Sequence, residues 1–423
     1  MDQPNQREPR RRFPHGFLWG ASTSAHQVEG GQHNDWSEWE KLNADRLARS
    51  AERAYAHWLP SWDAVKSRAT DPANYVSGRA CDHYHRYEQD FDLMRSLGMN
   101  VYRFSVEWSR IEPAEGRFDQ AQLEHYRQMV AAMRRRGIEP MVTLWHWTIP
   151  LWLRDRGGWR SKAAPGYFKR YTERVVKELG DQVRFWITVN EPGAYTASSY
   201  LSGAWPPQRK SPLDYLTVVH HLIRGHKLAY QAIKTLDVTA QVGVAESIAY
   251  FEAYRNNPYG LLLKKLAELG GNRYFLDHIN HQQDFVGLNH YFHNRIRGGR
   301  FNQNDNQAVS DLGWELYPEA IYRVLIDLKG YGKPVYITEN GLADGRDRHR
   351  RWFITETLGY VHRAIQEGTD VRGYLHWSLL DNFEWDKGFW PRFGLVEVDY
   401  NTLERRVRPS TLEYSKIIKQ NGL

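Results

Sequence analysis

The sequence has 423 residues, of which 41% are hydrophobic, 25% are charged and 14% are aromatic, including 17 Trp and 25 Tyr. This is enough apolar material for a large core, and a chain of this length can form several domains or one α/β barrel. The single cysteine, Cys81, excludes an internal disulfide and a site built from several thiolates. It favours a reducing compartment, so we expect a cytoplasmic location.

The formal net charge of +7 raises the question of a nucleic-acid partner. Basic residues cluster at 7–12, 134–136 and 346–351, but neither zinc-finger spacing nor an RNA-binding aromatic motif accompanies them. We interpret these clusters as solvated surface and expect no nucleic-acid partner. No run of 18 apolar residues is present, so we also expect no membrane partner.

Eight apolar runs rich in β-branched residues alternate with helical patterns along the chain. Near-continuous apolar runs are typical of parallel strands that are covered on both faces. The runs lie at 17–22, 100–106, 138–147, 183–191, 241–246, 284–291, 334–340 and 371–379. The helical patterns lie at 84–98, 123–137, 165–180, 213–234, 317–330 and 351–368.

This alternation, without a linker or break, predicts one (β/α)₈ barrel. We assign it to residues 13–423, and residues 1–12, which are polar and basic, to a flexible tail. The alternative is a doubly wound open sheet, which usually carries a Gly-rich phosphate turn after its first strand. Here the first run leads into GASTSAHQVEGG, which contains no GxGxxG.

Polar and aromatic residues follow the predicted strands, at the end of a barrel where active sites form. Two of them are carboxylates, Glu191 and Glu339, after the fourth and seventh runs. Two carboxylates in a Trp-lined cleft suffice for glycoside hydrolysis. The pair alone is also compatible with ion pairing or helix capping, and Asn340-Gly341 is a turn signal that would end the strand at Glu339.

Seven motifs together resemble a known family. In chain order they are FPHGFLWGASTSAHQVEG, YRFSVEWSRIEP, TLWHW, ITVNEP, GLNHY, YITENG and WSLLDNFEW. They are similar to the successive signatures of glycoside hydrolase family 1, and the likeness extends over essentially the whole chain. The resemblance implies a (β/α)₈ barrel and a retaining β-glycosidase that needs neither a metal nor an organic cofactor.

By motif, the resemblance implies that Glu191 is the acid/base and Glu339 the nucleophile, with Arg103 and Tyr291 as neighbours of the nucleophile. It implies that the following residues bind the sugar: Gln27, His146, Asn190, Asn289, Trp377, Glu384, Trp385 and Phe393. Arg103 and the Tyr291 hydroxyl would favour the Glu339 anion. That negative charge would in turn raise the pKa of Glu191 and keep it protonated.

We therefore expect an exo-acting β-glycosidase that hydrolyses small β-glucosides or short oligosaccharides by double displacement, and that also accepts galactosides and fucosides. Glu384 would repel a phosphate, which disfavours 6-phosphosugars as substrates. Transfer of the sugar to an acceptor other than water is a second possible outcome. A non-catalytic sugar-binding barrel is the alternative from another class, but it predicts the loss of one of the two glutamates.

Overall fold

A computed structural model describes residues 11–423 of the chain. Residues 1–10 of the predicted tail lie outside the described residues. Arg11 and Arg12 lie against the C-terminal end of the chain: the Leu423 N–H donates to the Arg11 carbonyl, and Arg12 forms a β-bridge with Gly422.

The predicted barrel is present, and each of the eight apolar runs coincides with one of its strands, although the fifth strand extends one residue beyond its run. The strands of the described residues are β1 (Leu18–Ser22), β2 (Val101–Ser105), β3 (Glu139–Trp145), β4 (Phe185–Asn190), β5 (Gln241–Ser247), β6 (Tyr250–Ala253), β7 (Phe285–Asn289), β8 (His293–Ile296), β9 (Val335–Asn340), β10 (Val371–Trp377), β11 (Val396–Val398) and β12 (Arg405–Val407). Eight of them close a barrel in the order β1-β10-β9-β7-β5-β4-β3-β2. All neighbouring pairs in the barrel are parallel, whereas β6/β8 and β11/β12 form separate two-stranded sheets.

Helices surround the barrel and connect its strands. The α-helices of the described residues are α1 (Ala25–Val28), α2 (Asp35–Tyr55), α3 (Trp62–Ala69), α4 (His83–Ser96), α5 (Trp108–Ile111), α6 (Gln120–Arg135), α7 (Leu151–Asp155), α8 (Ala164–Leu179), α9 (Pro192–Thr196), α10 (Pro212–Leu236), α11 (Pro258–Ala267), α12 (Tyr274–Ile279), α13 (Ala320–Leu328), α14 (Arg350–Gln366) and α15 (Pro409–Gln420). The helical patterns in the sequence correspond to α4, α6, α8, α10, α13 and α14. The sequence did not predict α2, which begins at an Asn34 capping box.

The interior of the barrel is closed at the N-terminal ends of its strands by an apolar cluster. Every barrel strand contributes to it, and its members are Leu18, Val101, Met141, Phe185, Ile187, Ala245, Phe285, Tyr336 and Leu375. Each large side chain of this kind contributes about 1.5–3 kcal/mol when it is fully buried. Because the interior is filled at this end, a binding site can form only at the opposite end of the barrel, where the strands finish.

Strand β9 extends one residue further than the Asn-Gly turn signal predicted, because Asn340 still pairs with His376 of β10. The next residue, Gly341, does not have the positive φ that often requires glycine. A Cβ atom at this position would lie 1.9 Å from the Trp377 carbonyl oxygen. Gly341 is therefore needed for the close approach of two barrel strands and not for turn geometry.

A buried ion cluster stabilises the chain that follows β10. The Asp381 carboxylate is fully buried and accepts hydrogen bonds from Arg408 at 2.9 and 3.0 Å and from Arg392 at 3.1 Å. Burial alone would raise the pKa of Asp381, but the two guanidinium groups hold it below its ordinary value. The carboxylate therefore stays charged in the folded protein.

We predict that Asp381→Asn lowers the free energy of unfolding by roughly 3–5 kcal/mol, because it leaves buried guanidinium charge uncompensated. Since the folded-state pKa of Asp381 is depressed, its contribution is present above the unfolded-state pKa and is lost as the pH falls through the folded-state value. Urea unfolding at several pH values measures both effects.

Asp370→Asn is the matched control for this variant. Asp370 pairs with Arg372 at 2.8 Å, but both side chains are about half exposed, so we expect a loss of only about 0–1 kcal/mol. Equal effects of the two substitutions would contradict the assigned role of the buried cluster.

Candidate active site

A cavity of about 420 Å³ opens where the barrel strands end. All predicted site residues line it except Arg103 and Asn289, which are buried behind its wall. The cavity is lined by Gln27, His146, Trp147, Asn190, Glu191, Ala194, Ser198, Ala204, Trp205, Ser247, Tyr291, Phe292, Leu312, Trp314, Glu339, Trp377, Glu384, Trp385, Asp386, Lys387 and Phe393.

Arg103 on β2 connects the ends of three other barrel strands. Its Nη1 donates to Glu339 Oε1 at 2.5 Å, its Nη2 to Asn190 Oδ1 at 2.5 Å, and its Nε to Thr143 Oγ1 at 3.0 Å. Only 1% of the Arg103 side chain is exposed. The guanidinium fork therefore fixes Glu339 and Asn190 relative to each other and places a positive charge against one carboxylate.

Glu339 has a second donor, because the Tyr291 hydroxyl donates to its Oε2 at 2.8 Å. Both carboxylate oxygens are thus held, one by a cation and one by a neutral hydroxyl. Burial raises the pKa of Glu339 above its ordinary value, and Arg103, Tyr291 and Asn289 limit this rise. These contacts favour the anionic form that the sequence analysis expected for this residue.

Glu191 lies in a different environment. It follows β4 with a left-handed backbone (φ 41°), and its N–H donates to the Ala245 carbonyl at 2.7 Å. Asn289 Nδ2 donates to its Oε1 at 2.8 Å. Burial and the nearby charge of Glu339 raise the pKa of Glu191 to about 8. The protonated form of this carboxyl group is therefore favoured at neutral pH, whereas the contacts of Glu339 oppose its protonation.

The protonation of His146 follows from the hydrogen bonds of Asn190. Asn190 Oδ1 accepts from Arg103 and, at 3.2 Å, from Asn289, so its Nδ2 is the donor that lies 3.2 Å from His146 Nε2. His146 Nε2 must then be an acceptor, which leaves the ring proton on Nδ1. Burial, Arg103 and His26 hold the pKa of His146 well below its ordinary value, so the ring is neutral.

Gln27 and Glu384 form a polar edge of the cavity. Gln27 Nε2 donates to the Phe383 carbonyl at 2.8 Å and to Glu384 Oε2 at 3.3 Å, and Ser24 Oγ donates to Gln27 Oε1 at 2.7 Å. Burial, followed by the charges of Glu339 and Asp386, raises the pKa of Glu384 to about 8. This edge offers both donors and acceptors to a polyhydroxylated ligand.

Aromatic rings form another part of the cavity wall. Trp147 and Trp205 lie 4.5 Å apart between centroids, and Trp385 lies 4.8 Å from Trp147. Trp147, Trp385 and Glu191 all have positive φ (79°, 51° and 41°), which is uncommon for residues other than glycine. Such strained backbone persists where the surrounding structure enforces it, and here it coincides with the cavity wall.

The sequence analysis missed several lining residues. Trp205 donates through Nε1 to Asp386 at 3.0 Å, and Lys387 Nζ lies 2.6 Å from the other Asp386 oxygen. Asp386 and Lys387 directly follow the quoted motif WSLLDNFEW, so extending that motif would have found them. Trp205 and Trp314 lie in connections outside the barrel strands, and no periodic signal in the sequence indicates them.

Three other polar residues near the ends of the barrel strands bind partners within the protein. Glu29 pairs with Arg110 at 3.0 Å, and Glu107 accepts from the Thr148 hydroxyl at 2.9 Å. His290 Nδ1 lies 2.8 Å from the Ile248 carbonyl oxygen. None of these three side chains lines the cavity.

Comparison with known proteins agrees with this geometry. The model of glycosyl hydrolase family 1 matches residues 9–276 and 262–423 of the chain. The chain is 33% identical to beta-glucosidase A of Acetivibrio thermocellus, over 97% of this chain and 99% of that relative. It is 28% identical to a beta-galactosidase of Pyrococcus woesei, over 97% of this chain and 98% of that relative.

Solved structures of similar proteins have the same fold. A beta-glycosidase from Pyrococcus horikoshii is 35% identical and superposes with a TM-score of 0.87, covering 98% of this chain and 96% of that chain. A beta-glucosidase from Thermotoga maritima, solved in complex with castanospermine, is 29% identical with a TM-score of 0.86, covering 98% and 99% of the two chains.

We predict that Arg103→Met raises the pKa of Glu339 further, because the burial penalty remains while the compensating cation is lost. Carbon-13 NMR titration of labelled glutamate carboxyls measures this change. Tyr291→Phe is the milder control, since it removes one neutral donor and leaves the ion pair. An unchanged titration of Glu339 in Arg103→Met would contradict the assigned role of the ion pair.

Proposed function

Since this chain belongs to glycosyl hydrolase family 1 and is a retaining β-glycosidase, we propose that Glu339 is its nucleophile and Glu191 its acid/base. The observation that carries this assignment is the contrast between the two carboxyl groups. Glu339 is paired with Arg103, whereas Glu191 has an amide donor and a pKa raised to about 8. Environments that separate two carboxyl pKa values distinguish an acid from a nucleophile.

In the first step, the Glu339 carboxylate attacks the anomeric carbon while Glu191 gives its proton to the departing glycosidic oxygen. The bond to the leaving group breaks, and an ester between the sugar and Glu339 forms. This ester carries no charge, so the repulsion that raised the pKa of Glu191 is lost. Glu191 can then remain ionised and act as the base in the second step.

In the second step, Glu191 removes a proton from water, and the resulting oxygen nucleophile attacks the anomeric carbon. The ester bond breaks and Glu339 returns to its anionic form. The proton taken from water leaves Glu191 protonated again. An alcohol that replaces water would take the sugar instead, so transglycosylation uses the same intermediate. Product analysis with an added alcohol distinguishes the two outcomes.

The substrate-binding assignments complete the proposal. His146 and Asn190 would bind sugar hydroxyls, and the contact of Asn190 with the 2-hydroxyl would strengthen in the oxocarbenium-like transition state. Gln27 and Glu384 would bind the remaining hydroxyls, and Trp377, Trp385 and Phe393 would provide apolar surface for the pyranose. Asn289, which holds Glu191, would act through that residue rather than on the sugar.

We propose β-glucosides as the main substrates and β-galactosides and β-fucosides as secondary ones. The names of the relatives, which include a beta-glucosidase and a beta-galactosidase, support this range. A cytoplasmic location is also proposed, with the single buried thiol of Cys81 as its support. Rates on aryl β-glucoside, β-galactoside, β-fucoside and β-mannoside test the preference.

We predict that Glu339→Gln lowers kcat by at least roughly a thousandfold on every aryl glycoside, because an amide cannot form the glycosyl ester. Glu191→Gln should cost about 10²–10⁴-fold on substrates with poor leaving groups and much less on activated aryl glycosides. Steady-state rates measure both, with the exposed Glu404→Gln as control. Full activity of Glu339→Gln would refute the proposed mechanism.

We predict that kcat/KM falls as the pH rises through about 8, where Glu191 loses the proton that the leaving group needs. A raised pKa keeps the acid form dominant below this value, so the loss lies on the alkaline side. With an activated aryl glycoside, Glu191→Gln should lose this alkaline limb. Glu384, whose pKa is also raised to about 8, is the matched control, and Glu384→Gln should retain the limb.

A further inference from the structure

Helix α11 carries a row of large apolar side chains that face solvent. Tyr259, Leu262, Leu266 and Leu269 are 60%, 53%, 56% and 41% exposed. Their spacing of three, four and three residues puts them on one side of the helix, which continues into the π-helical turn Glu268–Arg273. Gly260 is the only residue of α11 that is buried. An ordinary surface helix has the reverse pattern, with its apolar side against the core.

The row continues onto the small β6/β8 sheet beside it. Tyr259 contacts the turn after β8, since a Cβ atom at Gly299 would lie 2.9 Å from its ring. Phe301 follows that turn, is 40% exposed and lies 6.3 Å from Phe251 of β6 between ring centroids. We refer to the following six residues as the apolar patch: Phe251, Tyr259, Leu262, Leu266, Leu269 and Phe301.

Unpaired positive charge surrounds the apolar patch. Arg255, Lys265, Arg297 and Arg300 are exposed, and no carboxylate of residues 11–423 forms an ion pair with them. The guanidinium groups of Arg255 and Arg297 lie 5.2 and 4.7 Å from the Tyr254 ring centre.

The acidic residues nearest to these cations already have partners. Glu252 is engaged by Arg295 at 3.1 Å, and Glu268 pairs with Lys264 at 3.5 Å. Asp327, which interacts electrostatically with Lys264 and Glu268, forms no ion pair with any of the four cations.

We propose that the apolar patch and these four cations dock the enzyme on an anionic lipid surface. A helix with an exposed apolar side and basic flanks lies in the plane of a membrane interface, with its apolar side chains among the acyl chains. Basic residues beside it are attracted to anionic headgroups. The exposed side chains project from a helix and do not line a groove. Such a surface fits a deformable lipid layer better than it fits an extended peptide.

Charge argues against a second copy of the chain as the occupant. A second copy would bring further uncompensated cations to the interface, and like charges brought together oppose association. An anionic surface instead neutralises all four. The expectation of no membrane partner was based on the absence of a spanning segment, and among residues 11–423 no helix is long and apolar enough to span a membrane. Attachment at the interface does not need such a helix, so the proposal revises that expectation.

The patch lies close to the mouth of the catalytic cavity. Phe292 lines the cavity, and its carbonyl accepts from the Tyr250 N–H at 2.9 Å, next to Phe251 of the patch. Docking would therefore bring the cavity mouth near the lipid surface and leave the catalytic carboxyl groups unaltered.

Vesicle co-sedimentation tests the proposal. Wild type should sediment with vesicles of equal parts phosphatidylglycerol and phosphatidylcholine, but not with pure phosphatidylcholine, and added salt should weaken the binding. The double variant Leu262→Gln/Leu266→Gln should bind at least about tenfold less. Arg255→Ser/Arg297→Ser should lose the preference for the anionic vesicles.

The controls separate docking from folding and catalysis. Leu213→Gln/Leu412→Gln changes two exposed leucines outside the patch, 75% and 55% exposed, and should bind as wild type does. All variants should hydrolyse an aryl β-glucoside at the wild-type rate, which reports an intact fold. Wild-type binding by Leu262→Gln/Leu266→Gln would overturn the proposal. A patch-dependent dimer in light scattering, without vesicle binding, would also overturn it and identify a second copy as the occupant.

Discussion

The buried guanidinium of Arg103 is the interaction on which the catalytic end of this barrel depends. Taking an arginine out of water is costly unless its charge and its donors are all compensated nearby. Here the compensation comes from residues at the ends of β3, β4 and β9: Thr143, Asn190 and Glu339. Because each partner lies on a different strand, these contacts require the strands to be arranged as they are in the barrel.

The same requirement explains why two chemically identical side chains behave differently. Glu339 receives the cation, and Glu191 receives an amide and the electrostatic field of its neighbour. Neither difference resides in the glutamates themselves. The difference comes from the residues that neighbouring strands place beside each glutamate. The distinct environments of Glu191 and Glu339 therefore depend on the whole barrel.

Much of the fold could be predicted from the sequence because parallel strands buried on both faces leave continuous apolar runs. The family resemblance then identified ten of the 21 residues that line the cavity. Trp205 and Trp314 could not be found in this way, since they lie in connecting segments whose path depends on tertiary packing. Helix α2 was missed because its mostly polar composition hides a buried face that includes Trp36 and Trp39. Gly341 was interpreted as part of a turn, and the close approach of Trp377 that requires glycine there becomes visible only with β10 in place.

The hydrogen bonds that begin at Arg103 also have a direction. An arginine side chain only donates, so Asn190 must accept through its oxygen, its nitrogen must donate to His146, and the imidazole proton is placed on Nδ1. The orientation of the Asn190 amide follows from Arg103, and the tautomer of His146 follows from Asn190. Neither depends on pH near neutrality. The donors and acceptors of these residues thus form a fixed map around the cavity, and in the proposed mechanism the proton on Glu191 is the one that moves during a turnover. Such a map lets the enzyme change one charge state at a time without reorganising the rest of its hydrogen bonds.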